Sequence, residues 1–495
     1  MKEGSDLRIL LFNPSTGYYT RAISNPLGLL CIASFLKREG HQVKLIDRCV
    51  ADVNINNSIK EFAPQLIGIS IMSGRGLKDS QRISSAAHKS NIPVVTGGYF
   101  PTMNPEAILE SGIAEVVMCS EGEYTFRDLI EYYNGKIQLS EIKGIVYKEN
   151  GQIIKTPDRE FADLGEFPLI DWSLVNPKDY FQHFFHCDKM LYLYSSKGCP
   201  CSCTFCSNHF YNRSTFRKRP NEYVIQEIKS LINDYGMDGV YFTGELWCLK
   251  KSDAYDFCEK VMENELKFTW GMLARAGQYN FEDFQTFYSA GCRYICFGIE
   301  TGSEKLQKSL NKNVNLEKAK QNFSDCSRLG ITSVASFMIG LPGETEEDLK
   351  KTISFINSIE ASIILIYLFS PIKNTEIYNE LVTQKYIFPQ EITMEVLSRN
   401  IDMENPKYNF SEISDKELRV IKSFFDWKAF SGKKTVEDSF GYAFAFQTII
   451  NGLKSISKNG LIGFFVNGYK AFTEFISIFF YSHFFRSIKK KYGLK

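Results

Sequence analysis

Four cysteines fall within eight residues, Cys199-Pro200-Cys201-Ser202-Cys203-Thr204-Phe205-Cys206. Cys199, Cys203 and Cys206 have the spacing C-x3-C-x2-C. A cubic [4Fe–4S] cluster is ordinarily held by four thiolates. With three thiolates supplied by one tight loop, one iron keeps an open position for a chelating ligand. The other chemistry open to the loop is a structural zinc on Cys199, Cys201, Cys203 and Cys206. Such sites usually join two separated knuckles, and no second C-x2-C pair occurs in the chain. Cys201 is the ambiguous member, a ligand in the zinc reading and a packing residue in the cluster reading.

Charged residues follow at the ends of successive apolar runs. They are Glu245 in Thr243-Gly244-Glu245, Arg275 after Ala274, and Glu300 in Phe297-Gly298-Ile299-Glu300-Thr301-Gly302-Ser303. Singly, each would be an ordinary strand-end charge. Their order after the cysteine loop is what singles them out.

The elements that must position these groups are legible from periodicity. From Leu191 the strand candidates are Leu191–Ser195, Val240–Thr243, Phe268–Leu273, Tyr294–Ile299, Ser333–Ile339 and Ile363–Phe369, separated by helical patterns. Six strand–helix units predict a partial, TIM-like (β/α)6 barrel with its site at the carboxyl ends of the strands. Upstream, Leu7–Phe12, Val43–Ile46, Leu66–Ile71, Pro93–Thr96 and Glu115–Met118 read as buried parallel strands alternating with helices. They predict an α/β, doubly wound, Rossmann-like sheet with its ligand at the carboxyl edge. Asn150-Gly151 predicts a hairpin turn between Gly144–Lys148 and Gln152–Lys155. The expected division is a Rossmann-like domain over 1–155, a linker over 156–189, the barrel over 190–395 and a helical region over 396–495.

Of 495 residues, 58 are Lys or Arg and 57 are Asp or Glu, so no global basic field favours nucleic acid. Met1 to Asp6 carry no secretory pattern, so the expectation is a cytoplasmic protein whose thirteen cysteines are thiols or metal ligands. Cys31, Cys258 and Cys326 in helical patterns, and Cys119 and Cys296 in apolar runs, read as small buried hydrophobes. The aromatic stretch Leu461–Phe485 contains Asn467, Lys470 and Glu474, which argues against a transmembrane span. With Arg486, Lys489, Lys490 and Lys491 it would suit either a helical cap on the barrel or peripheral contact with a membrane surface.

The cysteine loop and the strands after it resemble the radical S-adenosylmethionine (SAM) superfamily over roughly Leu191 to Phe369. The resemblance implies a [4Fe–4S] cluster on Cys199, Cys203 and Cys206, with SAM chelating the open iron. It places Phe205 against the adenine, Gly244 and Glu245 at the SAM amino group, Arg275 at its carboxylate and Glu300 near its ribose. Thr243 stands where relatives carry a first glycine. Phe337-Met338-Ile339-Gly340-Leu341-Pro342-Gly343-Glu344-Thr345 resembles a further hallmark of the family.

The first part of the chain resembles the cobalamin-binding domain of one radical SAM subclass. The residues that carry this likeness are Asn13 and Pro14, Leu27 and Gly28, Ser70, Gly97 and Gly98, and Glu121 and Gly122, each at a turn. No Asp-x-His-x-x-Gly places a histidine below cobalt, and Tyr99-Phe100 replaces the usual Pro-His. A domain that binds no corrin, or binds part of the substrate, is the alternative. A dinucleotide site is disfavoured, since no G-x-G-x-x-G follows the first strand.

Together the two resemblances imply radical methylation, or another carbon-centred rearrangement, of an unactivated natural-product, lipid or isoprenoid substrate, with an external one-electron reductant. Two other readings are a tRNA methylthiotransferase-like enzyme and a non-catalytic cobalamin- or cluster-binding sensor. Against the first, Cys31, Cys49, Cys119 and Cys187 lack ligand spacing. Against the second, a sensor has no need of Glu245 and Arg275 to orient SAM. No catalytic acid or base is singled out by the sequence.

Overall fold

The computed structural model describes residues 6–17, 24–389, 409–431 and 482–494. The apolar runs upstream form one seven-stranded sheet of order β2-β1-β3-β4-β5-β6-β7. Its strands are β1 (Arg8–Asn13), β2 (Gln42–Asp47), β3 (Leu66–Ser70), β4 (Val94–Gly97), β5 (Val116–Met118), β6 (Ile145–Glu149) and β7 (Gln152–Lys155). β1 to β5 run parallel, and their Val, Ile and Leu side chains are buried on both faces by helices such as Leu27–Arg38 and Leu77–Lys89. The hairpin β6–β7 extends this sheet antiparallel beside β5. Asn150 and Gly151 both have positive φ, 50° and 82°, as its two-residue turn demands.

The second sheet has the order β16-β15-β14-β13-β12-β9-β8. It comprises β8 (Gln182–Phe184), β9 (Cys187–Tyr194), β12 (Gly239–Thr243), β13 (Thr269–Ala274), β14 (Cys292–Glu300), β15 (Thr332–Ile339) and β16 (Ile363–Leu368). Six of these are the expected parallel strands, and β8 is an antiparallel edge that the sequence reading left inside the linker. A short pair, β10 (Ser196–Gly198) with β11 (Phe216–Lys218), brackets the cysteine loop. Outward side chains such as Phe242, Trp270 and Phe297 pack on the surrounding helices through Phe257, Phe287, Phe284 and Phe323. Inward ones alternate with them and are only half-buried.

Residues 156–189 are pinned to both the barrel and the first sheet. Trp172 Nε1 donates to Glu227 Oε1 at 2.9 Å, inside a fully buried Glu227–Arg219 pair. Tyr180 donates to Asp47 at 3.0 Å. Of the C-terminal residues described, Asp415–Ser431 is a helix packed on β16, and the helix Ser482–Tyr492 buries Ile488 and Tyr492. Lys491 is held by Glu346 at 2.6 Å and by Glu417 at 2.9 Å, so this residue of the basic end docks on the protein. Lys489 and Lys490 are exposed. The aromatic stretch Leu461–Phe485 lies almost entirely outside the described residues. No described helix is long and apolar enough to cross a membrane.

The Gly340–Thr345 turn shows why a motif glutamate can be structural. Glu344 is fully buried; its Oε2 accepts from the Gly340 and Leu341 amides at 2.6 and 3.2 Å, while Oε1 has no partner among the described residues. Burial lifts its pKa from 4.5 to about 7. The folded state therefore binds this proton more tightly than the unfolded chain. That contribution is complete below about pH 4.5 and is lost as pH rises to about 7. Glu344→Gln is expected to match the wild type at pH 4 and to exceed it at pH 8 by up to about 3 kcal/mol. Thermal unfolding at both pH values checks this, and an equal effect at both would refute it.

Candidate active site

The cysteine loop is held mainly by its backbone. The Gly198 amide donates to Glu245 Oε2 at 2.9 Å, and Asn208 Nδ2 donates to the Cys199 carbonyl at 2.5 Å. Thr204 N bonds the Leu310 carbonyl at 3.0 Å, Asn311 Nδ2 bonds the Ser202 carbonyl at 2.8 Å, and Cys206 N closes on the Cys203 carbonyl at 3.0 Å. Gly198 has φ +84°, and a Cβ there would lie 2.2 Å from the Thr215 carbonyl, so only glycine enters the loop this way. Cys199, Cys201 and Cys206 are half-buried and Cys203 is buried, all as free thiols. Among the described residues no three His, Cys, Asp or Glu side chains converge on a single-ion site.

Two cations face this loop. Arg275 Nη1 donates to Cys201 Sγ at 3.3 Å, and its Nη2 donates to the Lys312 carbonyl. A hydrogen bond from Cys199, then the charges of Arg275 and Lys312, draw the Cys201 thiol down to about 6. Lys312 pairs with Glu300 at 2.9 Å. Burial works against its charge, but Glu300, then Cys203, outweigh burial and hold its pKa up. Glu300 sits in the left-handed region, φ +70°, at an irregularity in the β14–β15 pairing. A Cβ on Gly298 would lie 2.5 Å from Glu300 Oε1. The chain tolerates this strained position where the carboxylate is aimed at Lys312.

Beside the loop, between the two sheets, lies a cavity of about 320 Å³. Leu27, Gly28, Ser70, Gly97, Gly98, Glu121 and Gly122 from the first sheet line it, and so do Gly244 and Glu245 from the barrel. Glycines form part of its wall where a side chain would crowd its neighbours. A Cβ on Gly68 would lie 2.7 Å from Leu11, and one on Gly122 would lie 2.7 Å from Ile32. Gly98 takes φ +96° with the Ile71 carbonyl 3.0 Å from its missing Cβ. Such a cradle at the carboxyl edge, beside the point where strand order reverses between β1 and β3, admits a long ligand close to backbone. It fits the tail of a cobalamin. No histidine is among the residues that line it. His41 lies at the opposite edge, accepting from the Leu7 amide at 3.3 Å.

Nine of the residues expected to bind cofactors therefore share this one cavity. Asn13 and Pro14 do not line it: Asn13 is turned aside to Asp47 at 3.0 Å, and Pro14 packs over Gly76. Phe205 packs with the cluster around Leu306 and Leu310. The Glu121 carboxylate is engaged by Arg217 at 2.7 and 2.9 Å and by Lys197 at 3.0 Å. Burial would raise its pKa, but Lys197, then Arg217, outweigh burial and keep it lowered. It thus ties the first sheet to the barrel. Tyr99 makes a second tie, donating to Ser207 Oγ at 2.9 Å, while Phe100 is buried in the core. Lys312 and Asn212, whose Nδ2 donates to Glu245 Oε1 at 2.8 Å, were not singled out from sequence. No spacing signal connects either to its partner.

The model of the radical SAM superfamily matches residues 193–356, and that of the B12 binding domain matches residues 20–130. An uncharacterized methyltransferase of Pyrococcus horikoshii is 28% identical over 385 residues, covering 75% of this chain and 82% of that protein. The radical SAM enzyme OxsB, solved with aqua-cobalamin and S-adenosylmethionine bound, superposes with a TM-score of 0.70 at 20% identity, over 92% of this chain and 73% of the other. The radical SAM methyltransferase TsrM of Kitasatospora setae, solved with cobalamin and a [4Fe–4S] cluster, gives 0.65 at 16% identity, over 77% and 75%. At these identities the two solved structures speak for the fold.

Proposed function

We propose, for a chain that belongs to the radical SAM superfamily in the branch with an N-terminal B12-binding domain, a cobalamin-dependent methyltransferase acting on an unactivated carbon of a small molecule. In this reading Cys199, Cys203 and Cys206 hold the cluster, and the cavity takes the cobalamin, its tail against the glycines and its corrin toward the barrel. The observation that carries it is the shared wall: the cavity opens at Gly244 and Glu245, and Glu245 also holds the cysteine loop. When bound, the cluster supplies the electron that splits SAM, and cobalamin supplies a methyl group. An external one-electron reductant must recharge the system.

The residues contribute orientation and charge. Glu245 fixes the loop and would hold the SAM ammonium, while Arg275 would offer its planar guanidinium to the SAM carboxylate. The Glu300–Lys312 pair holds a charged edge at the mouth of the barrel. Anaerobic incubation with SAM and a chemical reductant should release 5′-deoxyadenosine, and none from cluster-loaded protein would overturn the reading. Charge-assisted contacts are worth about 1.5–3 kcal/mol each. Glu245→Ala should therefore weaken SAM binding about 10- to 100-fold in calorimetric titration of the cluster-loaded protein. Unchanged affinity in both Glu245→Ala and Arg275→Ala would move the SAM site elsewhere.

A further inference from the structure

The lumen of the barrel carries an arrangement that neither the cluster nor the corrin uses. Tyr192, Tyr241 and Tyr294 stand on the inward faces of β9, β12 and β14, their rings in contact at 5.8 and 5.5 Å. Gly271 on the intervening β13 makes room, since a Cβ there would lie 2.9 Å from the Tyr294 ring. The β8–β9 turn folds Phe184 and Phe185 beneath them, with Phe185 stacked on Tyr294 at 4.7 Å and Phe184 against it at 4.9 Å. The barrel is therefore floored by aromatic rings at its amino end and open toward Gly298 and Glu300. Tyr367 joins the same lumen from β16, in register with Met338 of β15.

All of these side chains are half-buried, so among the described residues part of each ring keeps accessible surface. Among the described residues, no group hydrogen-bonds the hydroxyls of Tyr241, Tyr294 and Tyr367. Burial lifts all three phenols above their ordinary pKa, which keeps them neutral donors. The nearest charges are already paired: Glu300 with Lys312 at the mouth, and Asp426 with Lys422 beside Tyr367. Arg293, although on β14, turns away to the Tyr288 and Cys292 carbonyls. A charged group lowered into this space would lose its hydration and gain no counter-ion, whereas apolar surface would gain by burial against the rings. Phenols without a partner among the described residues are free to donate to an oxygen of a ligand there.

We propose that the lumen binds an uncharged, largely apolar substrate whose hydroxyl or carbonyl oxygen is held by Tyr241, Tyr294 and Tyr367, as an isoprenoid alcohol or ketone would present it. A phosphorylated or nucleotide-linked substrate is excluded from the same space. The assignment rests on the preceding reading, in which the radical chemistry is done at the barrel mouth.

The test is equilibrium dialysis of tritiated geranylgeraniol, below its aggregation limit, against the anaerobically reconstituted full chain with SAM present. Geranylgeranyl phosphate serves as the charged counterpart. The alcohol should bind at least about 10-fold more tightly, and Tyr241→Phe with Tyr294→Phe should weaken it about 10-fold, as expected for buried hydrogen bonds. Tighter binding of the phosphate, or unchanged affinity in the double variant, overturns the proposal. If the double variant does not fold, the comparison of alcohol with phosphate on the wild type decides alone. Release of 5′-deoxyadenosine is measured on the same preparation. Cleavage of SAM without uptake of the alcohol defeats the lumen assignment only, whereas uptake without cleavage defeats the enzymatic reading on which it rests.

Discussion

Changing Cys199, Cys203 and Cys206 together to Ala should remove essentially all iron and sulfide from the anaerobically reconstituted protein, while Cys201→Ala retains them. The loop gives a physical reason to expect folded protein in the first case. Its shape is fixed by contacts that involve no thiol: the Gly198 amide on Glu245, Asn208 on the Cys199 carbonyl, Thr204 on the Leu310 carbonyl and Asn311 on the Ser202 carbonyl. Alanine at the three positions leaves that frame in place and removes only the donors. Cys201 differs, because its sulfur accepts from Arg275 at 3.3 Å. Removing it frees one guanidinium N–H, so the variant should hold iron while its SAM affinity shifts. Iron and sulfide per chain, with the visible absorbance of the cluster, give the readout. Loss of the metal from Cys201→Ala alone would restore a four-cysteine site and with it the zinc reading.

The parallel strands were legible because strands buried on both faces have to be continuous apolar runs. Leu66–Ser70 and Val94–Gly97 are such runs, and both end where glycine or serine turns the backbone toward a ligand. β8 was not legible. It is a short edge strand in an aromatic, polar segment, Gln182–Phe184, and no alternation marks it. The candidate site divides along the same line. Gly28, Ser70, Gly97, Gly98 and Glu245 stand at strand ends or helix starts, so order along the chain brought them to one cavity. Asn13 stands at a strand end too, yet the side chain of Asp47 on the neighbouring strand captures it. Lys312 sits in an irregular segment after Ser309, where nothing periodic reveals that it meets Glu300. Sequence order predicts which edge a residue reaches, and partners from other elements decide where its side chain goes.

Gly28→Leu should abolish cobalamin uptake without lowering the stability of the apoprotein. Gly28 is in the first turn of Leu27–Arg38 and lines the interdomain cavity. Its backbone needs no special conformation, and a Cβ placed there meets no atom within 4 Å. Leucine can therefore be built without a clash, and within a helix it is favoured over glycine by up to about 1 kcal/mol. This separates it from Gly68 or Gly122, where a Cβ would lie 2.7 Å from Leu11 or Ile32 and those side chains would have to shift. Gly28 is exposed and lines the cavity, so a side chain added there stands at the wall that a corrin would approach. The expected pattern is a thermal midpoint equal to or above the wild type, unchanged iron content, and corrin absorbance after anaerobic gel filtration reduced at least about 10-fold, the change that about 1.4 kcal/mol of lost contact produces. Gly28→Ala, adding one methyl group to open space, should fall between the two. A full complement of cobalamin in Gly28→Leu would mean that the glycine-lined cavity does not house the corrin, and the first sheet would then serve the substrate instead.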